Sequence, residues 1–504
     1  MISSPASGLR AAELAKGCWT SEVRAVTTLL WFRSDLRLAD NPALAAALAN
    51  GGPVAPVFIL DDEDAGRWRL GGASRWWLHH SLAALAADLA ARGSQLILRR
   101  GPAEREIERL VAETGAASVV WNRRYEPWAV ARDERLKATL KRRGVAARSF
   151  NAGLLREPWE VMNGKGEPYR VFTPFWRALR AGLELPAVIE PPARLAGPQT
   201  WPHSDLIENW GLTPKQPDWA GGLRDTWGPG EAGAWKRLDA FAGRTSLEYG
   251  EARNLPGREG TSRLSPHLHF GEIGPRQVWR ALTAGALAES GDLMPAGVEI
   301  FLSEIAWREF SHHLLFHAQK LPEQPLRPEF AAFPWASDPT GLARWREGAT
   351  GYPIVDAGMR QLWATGWMHN RVRMIVASFL IKHLLIDWRE GQAWFWDTLV
   401  DADLANNAAS WQWVAGSGAD ASPYFRIFNP VTQGQKFDPD GAYVRRWVPE
   451  LANLPDKFLH APWTARSIDL ADAGVRLGVN YPAPIVDHAM ARARALEAYA
   501  STRA

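Results

Sequence analysis

The chain has 504 residues, long enough for two or more domains with cores of their own. Its 58 basic and 55 acidic residues leave a formal charge of +3, which on its own is weak support for a nucleic-acid partner, because a local basic groove can hide in a balanced total. The single cysteine, Cys18, excludes an intramolecular disulfide and any multi-cysteine zinc or iron–sulfur site, and it fits a reducing cytosol.

Residues 1–26 lack an apolar signal-like run and read as a poorly ordered extension. No later segment offers the roughly eighteen uninterrupted apolar residues of a membrane span. The expectation is a soluble, cytoplasmic protein. From Thr27 onward, short apolar runs alternate with helical stretches. Strands are expected at Thr28–Phe32, Val54–Leu60, 95–98, 118–121 and Ala146–Phe150, and helices near 41–49, 74–92, 103–114 and 128–143. Short apolar strands between helices predict a parallel sheet covered on both faces, a doubly wound, Rossmann-like α/β domain over 27–155. The turn after the first strand, Arg33-Ser34-Asp35-Leu36-Arg37, lacks the glycine fingerprint of dinucleotide sites, which disfavours a dehydrogenase.

Residues 156–222 are rich in Pro, Gly and Trp and read as a long interdomain linker, with one helix near 172–180. The remainder, 223–504, has helical periodicity. There, Tyr249 and Arg253 precede the loop Thr261, Ser262, Arg263, Leu264 and Ser265, whose hydroxyls, amides and guanidinium suit a pyrophosphate; a plain helix-capping loop is the simpler reading of the residues alone. Phe301, Glu304, Trp307 and Arg308 share one helical face, and Trp367, Asn370, Arg371 and Met374 repeat the arrangement at i, i+3, i+4 and i+7. Two such mixed aromatic and polar stripes would line one cavity.

Residues 401–413 read Asp401-Ala-Asp403-Leu-Ala-Asn406-Asn407-Ala-Ala-Ser-Trp411-Gln-Trp413, directly after an apolar run. Taken singly, the carboxylates cap helices, the amides close turns and the indoles fill core; together they point to a polar and aromatic group held here. Trp411 and Trp413 lie about 200° apart on a helix, so they face opposite ways. Of the 27 Trp residues in all, some can serve for base stacking or electron relay as well as for core. The sequence shows no hydrolase elbow, P-loop or zincin helix. The adjacent pairs His79-His80 and His312-His313 point apart and are expected to be capping or surface residues, with no metal site.

DADLANNAASWQW at 401–413 and DASPYFRIFNPVTQGQKFDPDGAYVRRWVPEL at 420–451 resemble the flavin-binding core of the photolyase/cryptochrome family, most closely its bacterial cyclobutane pyrimidine dimer (CPD) photolyases. The resemblance extends over roughly residues 27–490. It implies a helical domain that binds FAD, active in its reduced form, through Tyr249, Thr261, Ser262, Arg263, Leu264, Ser265, Phe301, Arg308, Trp367, Arg373, Asp401, Asp403 and Asn407. Asn407 would lie at flavin N5, with Arg373, Asp401 and Asp403 fixing isoalloxazine charge. Phe301 stands where some relatives have Trp. It implies UV-damaged DNA as partner, its pyrimidine dimer flipped into a pocket of Glu304, Trp307, Asn370, Met374 and Trp413 and split by an electron from photoexcited reduced flavin. Arg253, Trp307, Arg371 and Gln433 would contact DNA, and Trp411, Trp388 and Trp335 would relay electrons.

The family also admits a second, antenna chromophore of folate or deazaflavin type. Near Asn122, Tyr125 and Glu126, however, Trp128 and Ala129 replace the Asn-Glu of enterobacterial folate binders. The antenna is therefore absent or held differently. Two alternatives follow from the same resemblance. A photolyase for the pyrimidine-pyrimidone photoproduct would carry His-His where this chain has His369-Asn370, and His in place of Met374. A cryptochrome photoreceptor needs no Glu304 and Trp307 pair and often has a long tail, whereas this chain ends soon after residues 480–487. A monomer is expected.

Overall fold

A computed structural model describes residues 26–502, so Cys18 and all but the last residue of the expected extension lie outside the described residues. Strands Thr28–Phe32 (β1), Val54–Leu60 (β2), Ile97–Arg100 (β3), Ser118–Asn122 (β4) and Ala146–Phe150 (β5) form one parallel sheet in the order β3-β2-β1-β4-β5. β1 pairs on both sides, with Thr28 opposite both Val54 and Ser118. Helices α1 (Pro42–Ala49), α2 (Gly72–Ala90), α3 (Ala103–Thr114) and α4 (Pro127–Arg142) connect the strands and cover both faces. Successive β1 residues accordingly enter different cores: Leu30 and Phe32 pack with Phe58 and Trp77, while Leu29 and Trp31 pack with Val57 and Trp121. The third strand begins two residues later than its apolar run, because pairing with Val57–Leu60 of β2, not apolarity, sets its limits.

The linker does more than wrap the surface. It contains α5 (Phe172–Ala181) and a single 3-10 turn at Ile207–Trp210. Val54 donates to Ala196 O (2.8 Å), Asp205 to Leu98 O (2.8 Å) and Leu98 to Ser204 Oγ (2.9 Å). Leu195, Trp210 and Leu212 join the α/β core. The irregular backbone thus borrows partners from the sheet, which is how a long segment with little regular structure stays packed.

The β1 turn without a glycine fingerprint seats the helical domain. Leu36 donates to Phe270 O (3.1 Å), and the fully buried Arg37 guanidinium donates to Gly271 O (2.8 Å), Asp40 O (2.9 Å) and Ala152 O (3.0 Å). Gly271 has φ +65°, and a Cβ there would stand 2.1 Å from Ser34 O, so the junction admits only glycine. Trp77 of α2 adds an indole bond to Glu272 Oε1 (2.9 Å). Among the described residues no helix is long and apolar enough to cross a membrane.

Candidate functional site

Asp401 and Asp403 take different roles although one residue separates them. Asp401 forms a two-pronged ion pair with Arg373 (2.8 and 3.1 Å), whose Nε donates to Met368 O (2.8 Å). Asp403 is the N-cap of helix Leu404–Ala415: its Oδ1 accepts from Asn406 N (2.9 Å) and Asn406 Nδ2 (2.8 Å). Its other oxygen faces two imidazoles, His269 Nδ1 at 3.4 Å and His312 Nε2 at 3.5 Å. Burial would push the Asp403 carboxyl up, but His312, His269 and Arg308 outweigh it and hold the group far below the ordinary carboxylate range. His312 Nδ1 also faces Arg308 O (3.0 Å), so only the doubly protonated ring donates to both oxygens; burial lowers its pKa and Asp403 pulls the other way.

This corrects the expectation for the second histidine pair. His312 and His313 are buried, not capping or surface residues. His313 accepts from Tyr169 N (3.0 Å) and donates to Pro158 O (3.1 Å), fastening the linker. The signal was present: His312 follows Arg308 by four residues on the helix that carries Glu304. Its partner Asp403 is remote in sequence.

Along helix Leu404–Ala415 the two indoles diverge as the spacing requires. Trp411 is buried and Trp413 half-buried. Trp411 lies against Gly391, where a Cβ would stand 2.0 Å from its ring, so helix Trp388–Thr398 needs glycine at that contact. Trp388 is buried one turn away, and half-buried Trp335 sits 4.3 Å from the ring of Phe333. Asn407 donates to Gln392 O (3.0 Å) on the same neighbouring helix.

The residues of the 261–265 loop converge on Trp367. Arg263, at φ +52°, stacks over that indole (5.2 Å to the centroid) and pairs with Glu259 (2.7 Å); Trp367 Nε1 reaches Ser265 Oγ (3.4 Å). Arg373 approaches the same ring at 6.0 Å, joining the loop to Asp401. Leu264 is buried, and its N–H reaches Ser262 Oγ at 3.3 Å, while Thr261 is half-buried. Tyr249 packs on Phe301 (5.1 Å between rings). Arg308 turns to the domain junction and donates to Gly153 O (2.6 Å).

The second stripe needs correction. Helix Asn370–Ser378 begins only at Asn370, with His369 as its N-cap, so Trp367 precedes the helix and does not share its face. The Nδ1 of His369 accepts from Arg371 N (3.2 Å); burial first, then Arg371 and Arg373, push its pKa down to about 3, so it is neutral. Arg371, Met374 and Asn370 do lie together. Arg371 donates to Asn254 Oδ1 (2.6 Å), approaches Met374 Sδ (3.8 Å) and covers the Phe437 ring (4.4 Å) at the end of helix Pro430–Phe437, which also carries half-buried Gln433.

Opposite them, Glu304 pairs with Arg253 (2.7 Å), both side chains about a quarter exposed at 28% and 23%. Burial pushes the Glu304 carboxyl up while Arg253 and Arg371 restrain it, leaving a net rise. One turn on, Trp307 is half-buried and stacked face to face on Phe172 of α5, with centroids 3.8 Å apart and planes at 7°. Nothing in the sequence flagged Phe172, since its partner is 135 positions away, the difference between 307 and 172. The wall is therefore a carboxylate–guanidinium pair beside a backed indole, with a second guanidinium, a thioether and an amide across from it.

The donor set fits a flavin nucleotide. Among the described residues Arg263 Nε, His369 Nε2 and Arg371 Nε are buried atoms without a hydrogen-bond partner, and the charges of Arg263, Arg371 and Arg373 all act on His369. Orphaned polar atoms grouped in this way imply a polar ligand. A cleft of about 370 Å³, mouth included, opens between Arg263, Trp367, Gln361 and Arg446. A larger one of about 790 Å³ lies at the carboxyl ends of β1 and β2, the usual ligand position in such sheets, and is lined by Trp31, Asp61, Arg124, Trp128 and His269.

An α/β domain docked on a helical domain with this polar and aromatic cavity defines a flavin-dependent protein of the DNA-photolyase type. Residues 28–195 match the family model for DNA photolyase, and residues 301–501 match that for the FAD binding domain of DNA photolyase. A deoxyribodipyrimidine photo-lyase from Agrobacterium fabrum is 54% identical over 95% of this chain and 99% of that protein. Cryptochrome-1 of Arabidopsis thaliana is 42% identical over 94% of this chain and 70% of that protein. The crystal structure of a bacterial class III photolyase from Agrobacterium tumefaciens superposes with a TM-score of 0.92 at 54% identity, covering 97% of this chain and all of that one. The chain belongs to the photolyase/cryptochrome family, and its helical domain binds FAD.

Proposed function

We propose that this protein is a light-dependent DNA-repair enzyme that splits cyclobutane pyrimidine dimers. The observation that carries the reading is the wall of Glu304, paired with Arg253, beside Trp307 on one helix. The near full-length similarity to a deoxyribodipyrimidine photo-lyase supports it. When bound, reduced FAD supplies the electron that light transfers to the dimer and that returns after ring opening.

The chain's own residues prepare that event. Arg373 and Asp401 offset each other's charge beside the cofactor, and Asp403 stays ionised at all working pH values because His312, His269 and Arg308 hold it so. Asn407 is positioned by Gln392 O to meet the cofactor edge. The flipped dimer lies flat on Trp307 and Trp413, its imide edges reaching Glu304 and Asn370 and its apolar ring carbons Met374. Arg253, Arg371 and Gln433 hold the flanking phosphates. Trp411, Trp388 and Trp335, graded from buried to half-buried, would pass electrons from an external reductant at the surface toward a bound, oxidised cofactor.

The larger cleft is the place we assign to any second chromophore, of folate or deazaflavin type. The guanidiniums of Arg124 and Arg132 lie over Trp128 at 4.8 and 5.3 Å, which gives a planar anion both a stacking surface and charge. The protein acts as a monomer in the cytoplasm. The alternative, a photoreceptor that performs no repair, has the weaker support of 42% identity to an Arabidopsis cryptochrome against 54% to the photo-lyase. The test is loss of dimers from ultraviolet-irradiated DNA incubated with purified, reduced protein. Loss in near-ultraviolet or blue light and none in darkness supports repair; no loss in light refutes it.

A further inference from the structure

Trp307 is not a free-standing stacking surface. One face of the indole is filled by Phe172 at 3.8 Å and 7°, and one edge by Phe310 at 5.8 Å and 73°. Phe172 in turn meets Phe310 at 6.0 Å, closing a three-ring cluster. The ring is therefore fixed in tilt as well as in position, and only its other face remains for a guest. Phe172 does not come from the helical domain's own sequence. It is the first residue of α5, inside the linker.

The first turn of α5 is itself tied down from the opposite side of the cavity. A helix start leaves backbone N–H groups without intrahelical partners. The N–H of Phe172 is taken by Asp420 Oδ2 at 3.1 Å. Asp420 stands at φ +46° in the loop that follows the Trp413 helix, and two residues later Ser422 N donates back to Trp413 O at 3.2 Å. A continuous path of contacts therefore runs from the Trp413 backbone through the 420–422 loop to Phe172 and across its ring to Trp307. Those are the two indoles assigned to the lesion.

We propose that Phe172, held by Asp420, is a positioning residue that sets the placement of Trp307 relative to Trp413 and thereby determines how well the cavity discriminates a dimer from undamaged bases. The inference rests on the repair reading, in which both indoles stack on the lesion. A dimer is a rigid, bent object of fixed thickness, so discrimination needs walls that do not yield. Phe172 gives the Trp307 wall its stiffness, and the Asp420 bond fixes that wall to the other one. Phe172 touches no reacting atom, so its removal should affect recognition and leave the splitting step of bound lesion intact.

The test uses the full FAD-loaded protein. Dissociation constants are measured in the dark for one oligonucleotide with and without a single cyclobutane dimer, together with the splitting yield at saturating protein. Phe172→Leu, which keeps apolar bulk and loses the flat ring, should lower the damaged-to-undamaged affinity ratio about tenfold, a substantial part of one base stack. The yield of bound lesion should stay at the wild-type level, and Phe172→Tyr should restore the ratio. In a Trp307→Ala background, Phe172→Leu should have no further effect, because the wall it supports is gone. Equal losses in both backgrounds would overturn the proposal, as would an unchanged ratio in Phe172→Leu while Trp307→Ala lowers it. An unchanged ratio in Trp307→Ala itself would instead remove the repair reading of this face, and the proposal with it. If Phe172→Leu does not fold, the exposed Asp420→Gly variant, which removes the carboxylate without straining the left-handed backbone, carries the test: a smaller fall in the ratio at full FAD content supports the tie, and a wild-type ratio overturns it.

Discussion

In the proposed mechanism Glu304 supplies a polar contact to the lesion, and it is paired with Arg253. Its carboxylate is held between burial, which disfavours the charge, and two guanidiniums, which favour it. Glu304→Ala would leave Arg253 without its partner and the dimer without a polar contact. The expected loss in splitting yield is about tenfold, on the scale of a hydrogen bond to a charged group, with FAD content unchanged on denaturation and chromophore analysis. Undiminished splitting would remove Glu304 from the mechanism. At Trp388 the prediction separates two electron flows. Trp388→Phe keeps the bulk of a fully buried side chain but removes an oxidisable indole, so light-driven reduction of the oxidised cofactor should fall at least tenfold. Repair by chemically pre-reduced protein should persist. Photoreduction at the wild-type rate would show that electrons reach the cofactor by a route other than Trp388.

Helix Ala296–His317 joins the Glu304 and Trp307 wall to the domain junction. One edge bears Glu304 and Trp307; further along, Arg308 and Glu309 bind Gly153 and Leu155 at the end of the α/β domain, His313 binds the linker and His312 binds Asp403. Glu309 is the sensitive point: Oε2 accepts from Leu155 N (2.8 Å), Oε1 is buried without a hydrogen-bond partner, and burial, opposed by Arg308, raises its pKa to about 8. The unfolded chain would titrate near the ordinary 4.5 given for this group. A folded pKa above the unfolded one means stability that is fully present below about pH 4.5 and lost as pH rises towards about 8. Glu309→Gln removes that titration, so the difference in melting temperature between variant and wild type should shift in the variant's favour from pH 5 to pH 9. A constant difference across the range would contradict it.

This same helix marks what could be read beforehand and what could not. The i, i+3, i+4 grouping of Glu304, Trp307 and Arg308 was legible because helical spacing is local, as was the α/β sheet, whose strands are short apolar runs. Trp367 was misplaced because a helix start is decided by its cap, here His369, and not by apolar period. His269 and Phe172 carry no local signal because their partners Asp403 and Trp307 lie far along the chain, and the spacing of His312 from Arg308 marks its helical face but not its remote partner Asp403.

For the whole molecule, the two domains are held as one by buried polar contacts of the β1 turn. Arg37 is the centre of that junction, its guanidinium shared among the carbonyls of Ala39, Asp40, Ala152 and Gly271. Arg37→Ala would leave those buried carbonyls without donors, a destabilisation of about 3 kcal/mol or more, read as a lower urea midpoint and earlier release of FAD. An unchanged midpoint would mean that the domains hold together without it. The linker reinforces this unity, since it enters the α/β core at Leu195 and Trp210 and stacks Phe172 on Trp307 of the helical domain.

This assembly repairs cyclobutane dimers, as its near full-length similarity to a deoxyribodipyrimidine photo-lyase supports. The direct measurement presents reduced protein, under near-ultraviolet or blue light, with two oligonucleotides, one bearing a single cyclobutane dimer and the other a pyrimidine-pyrimidone photoproduct. His369 is neutral, and Asn370 and Met374 stand where further histidines would be expected for the second lesion, so no histidinium is supplied by these three positions. The cyclobutane dimer should be restored to separate bases while the other lesion persists. Repair of the pyrimidone photoproduct alone, or of neither, would contradict it.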